Sequence, residues 1–298
     1  MRTALASLVA LAACHGSTAN SSDAPSGGDG ASAIDAPGSN TVAVMPEPTG
    51  TCPAIVSGDV TFAPAGIPPR KVKLWLPANT ASHGELILYW FATGSSPLEA
   101  EYSLGSTLET ITGAGNIVAA PYADPTAGEF EWFIVNMSPK VDDFLVADEV
   151  VACLNKAGMI DPSHVHSMGM SAGALQTTAV SFLRSSYIAS VATYSGGIPP
   201  GFTPAVEDPA NKFAALIFDG GATDDVFGVD FQAASQLYQS TLTSAGHFAA
   251  ICDHGGGHTI PLDAAPSVAL FFDANGFGAW PSPYAAGLPP SFPSYCSL

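Results

Sequence analysis

The pentapeptide Gly169-Met170-Ser171-Ala172-Gly173 constrains this chain more than any other feature, because its flanks give it a structural setting. Upstream, Ser163-His164-Val165-His166-Ser167-Met168 alternates polar and apolar residues as a strand does. Downstream, residues 172–184 are rich in Ala, Leu, Thr and Gln and hold no proline, which predicts a helix. Strand, Gly-bracketed turn and helix in succession are the setting in which Gly-x-Ser-x-Gly works as a nucleophile elbow. The glycines let the turn pass close to its neighbours, and the sharp bend lifts the Ser171 hydroxyl above the sheet.

A nucleophilic serine needs a base and a group to orient that base, and the later chain supplies both. Residues 212–218 form an apolar run of strand length, followed by the turn Asp219-Gly220-Gly221-Ala222-Thr223-Asp224-Asp225-Val226. A helix is expected over residues 230–245, closed by Gly246, and then a short strand over 248–252. Asp253-His254-Gly255-Gly256-Gly257-His258-Thr259 follows it. Asp224 and His258 therefore each lie just past a strand, where open α/β sheets place their chemistry. The order Ser171, Asp224, His258 is the chain order of a hydrolase triad on such a sheet. Asp225 is the nearest rival for the acid, and Asp219 the next.

These residues carry a resemblance. Asp161-Pro162-Ser163-His164-Val165 through the pentapeptide, with Tyr194-Ser195-Gly196-Gly197 after it, resembles secreted α/β-hydrolase esterases of the polyhydroxybutyrate depolymerase and feruloyl esterase type. Gly221-Ala222-Thr223-Asp224 and Gly256-Gly257-His258-Thr259-Ile260-Pro261 are similar to that family's acid and histidine loops, and place the acid at Asp224, three residues after Gly221. The likeness covers roughly residues 85–275. It implies the α/β-hydrolase fold and acyl-ester hydrolysis without a cofactor, with polyesters and plant cell-wall esters as substrate classes.

The chain departs from that pattern at one place. Where such hydrolases carry a His-Gly pair after the third strand, this one has Phe91-Ala92-Thr93-Gly94. An oxyanion hole is made of backbone N–H groups, so it survives a change of side chains. The Thr93 and Ala172 amides are the expected donors. The same departure motivates a second reading, a degenerate hydrolase-like surface lipoprotein that only binds.

The N-terminus gives an address. Met1-Arg2 is followed by a short apolar stretch and then by Leu11-Ala12-Ala13-Cys14. The stretch is too short to span a bilayer, and small residues before a cysteine suit a lipoprotein signal peptide over residues 1–14. Cys14 would then be lipidated and hold the protein to the bacterial cell envelope; a plain secretory peptide with an incidental cysteine is the alternative, and both readings export the protein. Residues 15–49 are dense in Ser, Gly, Asp and Pro and read as a flexible tether. Residues 50–298 suit one α/β domain.

A formal net charge of −18, from 26 acids against 8 bases, argues against nucleic acid or an anionic surface as a partner. The expected partners are an ester substrate and, through Cys14, a membrane. Cys52, Cys153, Cys252 and Cys296 are disulfide candidates in an exported chain. Cys153 lies late in a helix leading away from the catalytic edge and Cys252 ends a strand at that edge, so Cys252–Cys296 is the preferred pair. A free thiol at Cys153 stays open.

Strands are also expected over residues 60–62, 72–76, 85–90, 116–120 and 188–193, with helices over 104–112 and 142–157. Alternation of helices and strands favours a mostly parallel sheet covered on both faces. His254 and His258 stand four apart, but three glycines between them oppose the helix that a metal pair at that spacing uses, and no metal is expected. His164 and His166 read as hydrogen-bonded sheet residues. Tyr102, Trp132 and Trp280 are aromatic residues that either line a cleft or pack.

Overall fold

The computed structural model describes residues 41–79, 83–202 and 205–298. Cys14, with the lipid attachment and signal peptide expected there, lies outside the described residues, as does most of the 15–49 tether. Packing on the domain begins before residue 50. The Val44 N–H donates to Ser186 O, and the Thr49 and Gly50 N–H groups donate to the buried Glu149 carboxylate.

Among the described residues, eleven strands and six α-helices follow in chain order: β1 (Gly58–Phe62), β2 (Arg70–Trp75), β3 (Gly84–Trp90), α1 (Glu99–Leu104), α2 (Thr107–Gly113), β4 (Ile117–Pro121), α3 (Asp142–Lys156) and β5 (Ile160–Met170). Then come α4 (Ala172–Leu183), β6 (Ser190–Tyr194), β7 (Ala214–Asp219), β8 (Asp225–Val226), β9 (Val229–Asp230), α5 (Phe231–Ser244), β10 (Phe248–Asp253), α6 (Ala265–Ala274) and β11 (Cys296–Ser297). Nine strands make one sheet in the order β1-β2-β4-β3-β5-β6-β7-β10-β11, and β8 with β9 form a separate hairpin. The run from β4 to β10 is parallel, while β1, β2 and β11 pair antiparallel at the two edges.

Composition explains this arrangement. β3, β4, β6 and β7 are buried at every residue, as strands covered by helices on both faces must be. β1 and β2, at one edge, alternate between core and solvent. The chain steps from β3 to β4 on one side and then to β5 on the other. The switch point at the carboxyl ends of β3 and β5 is where such a sheet opens a crevice. Ser171 follows β5 directly.

Three details differ from the sequence reading. The helix expected over 104–112 is two helices, α1 and α2, broken where Gly105 takes a positive φ of 51°. α6 and β11 were not foreseen from the pattern. Cys153 is not a free thiol, because it is bonded to Cys52, and Cys252 is bonded to Cys296 across the β10–β11 pair. Among the described residues, no helix is long and apolar enough to cross a membrane.

Candidate active site

The elbow is built from close approach. A Cβ on Gly173 would lie 1.9 Å from Trp90 O, and one on Gly169 would lie 2.4 Å from the same oxygen. Any larger residue at either position would push β5 and α4 away from β3. Ser171 itself sits at φ 54°, ψ −119°, an unfavourable backbone for a residue with a side chain. Its N–H is held by Tyr194 O at 2.9 Å, so the strained turn is anchored to β6.

The structure brings Ser171, His258 and Asp224 into one hydrogen-bonded line. His258 Nε2 lies 2.9 Å from Ser171 Oγ, and His258 Nδ1 lies 2.7 Å from Asp224 Oδ1. Asp224 is buried, and its other oxygen accepts from the Ser195 hydroxyl at 2.7 Å and the Gly220 N–H at 2.9 Å. Burial would raise the Asp224 pKa, but the hydrogen bonds from His258, Gly220 and Ser195 outweigh it and hold the carboxyl below its usual range. The acid is therefore ionised and fixed. Phe231, the first residue of α5, packs its ring against the His258 imidazole at 4.7 Å between centroids.

The rival acids have other positions. Asp225 is exposed on the β8–β9 hairpin. Asp219 accepts the Gly221 N–H, and burial together with Asp253 and Asp224 raises its pKa to about 6. Of the histidines, His254 Nδ1 accepts the Gly256 N–H. His166 is buried, bonded to Ser190 and stacked on Phe272, and His164 contacts Asp161 and Ser163.

The loop after β3 is tied at almost every amide. The Ala92 N–H donates to Glu99 at 3.0 Å, the Gly94 N–H to Glu131 at 2.7 Å, and the Ser95 N–H to Ala92 O at 3.0 Å. The Thr93 N–H, between them, has no acceptor among the described residues. Phe91 is buried against Trp132, whose indole N–H donates to Phe91 O at 2.9 Å. Phe91 thus packs behind the loop, while the small Ala92 lines the groove beside His258. Ala172, first in α4, offers an N–H with no partner within the helix, at the positive end of the helix dipole. Thr93 and Ala172 line the same cavity as Ser171, of about 400 Å³.

Sequence reasoning missed Ser195, Phe231, Glu99 and Glu131. Ser195 carried a signal, since it stands in the Tyr194-Ser195-Gly196-Gly197 stretch that carries the family resemblance. The other three act through contacts that no local pattern announces. Of the aromatic residues, Tyr102 lines the groove beside His258, Trp132 is buried behind the loop, and Trp280 packs on the core.

No family model matches the sequence, and no curated protein does. Solved structures do match. Native pOPH is similar at a TM-score of 0.67 and 14% identity, over 83% of this chain and 96% of that one. Native sOPH is similar at a TM-score of 0.64 and 16% identity, over 85% and 96%. A ferulic acid esterase is similar at a TM-score of 0.54 and 16% identity, over 72% and 96%. At these identities the likeness speaks for architecture, and with the sheet order and the elbow it identifies the chain as one with the α/β-hydrolase fold.

Proposed function

We propose that this protein is a serine esterase that hydrolyses carboxylic esters through an acyl-enzyme. The observation that carries the reading is the continuous line Ser171 Oγ–His258 Nε2, His258 Nδ1–Asp224 Oδ1 on a strained elbow. Ser171 Oγ attacks the ester carbonyl as His258 Nε2 takes its proton. The oxyanion is met by the Thr93 and Ala172 N–H groups, each worth on the order of 3 kcal/mol in comparable sites. His258 gives the proton to the leaving alcohol, and water repeats the sequence to release the acid. Asp224 keeps the imidazole in the productive tautomer and stabilises its positive charge. The ferulic acid esterase among the similar folds is consistent with ester chemistry.

The test is hydrolysis of p-nitrophenyl acetate by the parent and by Ser171→Ala. Loss of the nucleophile should cost on the order of 10⁶ in kcat. A variant that keeps near-parental turnover would show that the serine is not the nucleophile, whereas a folded parent with neither turnover nor fluorophosphonate labelling would revive the binding-module reading.

The address belongs to the same proposal. The chain is exported and anchored through a lipidated Cys14, with the Ser/Gly/Asp-rich stretch as tether. Intact mass of membrane-extracted protein should show an acylated chain beginning at Cys14. An unmodified N-terminus elsewhere, in the soluble fraction, contradicts it.

A further inference from the structure

Two hollows meet at Ser171, and they differ in chemistry. The inner one, of about 400 Å³, is walled by Phe130, Ile134, Leu175 and Val229, and among the described residues no charged side chain lines it. The outer one is lined by His258 and Thr259 together with Ser95, Ser96, Glu99 and Tyr102. Phe227 stands between them and lines both. It sits at the tip of the β8–β9 hairpin with a positive φ of 55°, is 68% exposed, and touches Phe130 edge-on at 5.6 Å.

We infer, resting on the serine-esterase reading, that the acyl group occupies the inner hollow and the alcohol the outer one. The substrate class is then an ester of an uncharged, apolar acid of medium chain or single ring with a polar alcohol. The bond chemistry sets the sides. When the tetrahedral intermediate collapses, the carbon–oxygen bond to the alcohol breaks and the proton on His258 Nε2 passes to that oxygen. The alcohol must therefore lie beside His258, and only the outer hollow has His258 in its wall. The acyl carbon stays on Ser171 Oγ until water displaces it, so its chain takes the other side.

Chemistry of the walls sets the class. A charged group in the inner hollow would lose its water and meet no counter-charge, which disfavours it strongly. Besides Ser171 itself, Thr93 and Ser138 supply hydroxyls, and the remaining described wall is apolar or glycine and proline. A volume near the lower end of small-molecule sites, ~300–1,000 Å³, limits the acyl group to medium size. On the outer side Ser95, Ser96, Glu99 and Tyr102 can hydrogen-bond a hydroxylated alcohol.

The experiment uses full-length protein whose active sites are first counted with a fluorophosphonate. p-Nitrophenyl esters from acetate to octanoate vary the acyl side alone, a hemisuccinate ester adds a carboxylate there, and acetates of alkyl alcohols and glycerol vary the other side. The expected result is a rise in kcat/KM of about fourfold per methylene of acyl chain until the hollow fills, the conversion of ~0.8 kcal/mol per buried CH₂. The hemisuccinate should fall at least tenfold below butyrate, and glyceryl acetate should exceed alkyl acetates. Val229→Lys should shrink the butyrate-to-hemisuccinate ratio and Val229→Asp should widen it. Labelling accompanied by selectivity that follows alcohol length, or by indifference to the charge at Val229, overturns the assignment of sides and leaves the esterase reading standing. Absence of both labelling and turnover overturns the two together.

Discussion

Asp224 and the 122–141 loop both border the site, and they are held by different means. Asp224 takes three short hydrogen bonds, from His258, Ser195 and Gly220, all from residues at the carboxyl ends of sheet strands. The loop that supplies Phe130 and Ile134 to the cavity has no regular structure. It is fastened from beneath, where buried Arg70 on β2 bridges Asp124 at 2.9 Å and Asp143 at 3.0 Å. Asp143 in turn accepts the Phe133 N–H at 2.7 Å. The hydrogen-bonded line is thus fixed by the sheet itself, and the cavity wall by an ion-pair cluster that crosses 73 residues of sequence. Catalysis and stability should respond to separate mutations.

The sharpest break in that comparison is at the acid. Asp224→Asn keeps the size but offers His258 the wrong partner, so kcat should drop by roughly 10⁴ with little change in stability. Asp225→Asn, on the exposed hairpin, should change kcat by less than about threefold, within the small effects usual at the surface. Steady-state kinetics with p-nitrophenyl acetate decides between them. If Asp225→Asn is the crippling change, the acid moves by one residue.

The loop should break in the opposite sense. Arg70→Ala leaves Asp143 and Asp124 buried without their cation, which typically costs 3–5 kcal/mol, or ~10 °C in Tm for a domain of this size. Ser171 should still take a fluorophosphonate at low temperature, because no residue of its hydrogen-bonded line touches Arg70. Calorimetry beside a labelling assay reads both. A variant of unchanged Tm would mean that the cluster does not hold the wall.

The smallest expected effect sharpens the picture at the far end of the sheet. Burial first, and then Asp273 and Asp161, raise the Glu85 pKa to about 7. A carboxyl whose folded pKa exceeds its unfolded value favours folding at low pH, and that contribution fades as pH rises through the folded pKa. Stability should therefore decline between pH 4.5 and about pH 7, the window between the two values. Glu85→Gln should recover on the order of 1 kcal/mol, ~3 °C in Tm, at pH 8 and almost nothing at pH 5. Equal effects at both pH values would rule out ionisation of Glu85 as the cause.

The same contrast explains what was legible in the sequence. The elbow, the parallel sheet and the order of Ser171, Asp224 and His258 could be read because each rests on a local pattern: a turn between strand and helix, or a Gly/Asp loop after an apolar run. The preference for Cys252–Cys296 came from the poor geometry of pairing Cys252 with Cys153, which stands on a helix leading away from the catalytic edge. The Cys52–Cys153 bond was not readable, since it joins residues 101 apart, one on α3 and the other in a stretch with no regular structure. Nor were Glu99 and Glu131, whose roles lie in holding amides of a loop that their own sequence neighbours do not identify. The split of α1 from α2 turned on Gly105, one residue inside an otherwise helical stretch.

The central claim is that Ser171 is an activated nucleophile, and covalent labelling tests it most directly. The full-length protein is treated with a fluorophosphonate, and the adduct is located by intact mass and peptide mapping. The account predicts one adduct per chain, on Ser171, formed quickly in the parent, lost in Ser171→Ala and strongly slowed in Asp224→Asn. Labelling elsewhere, or none in a folded parent, would contradict it.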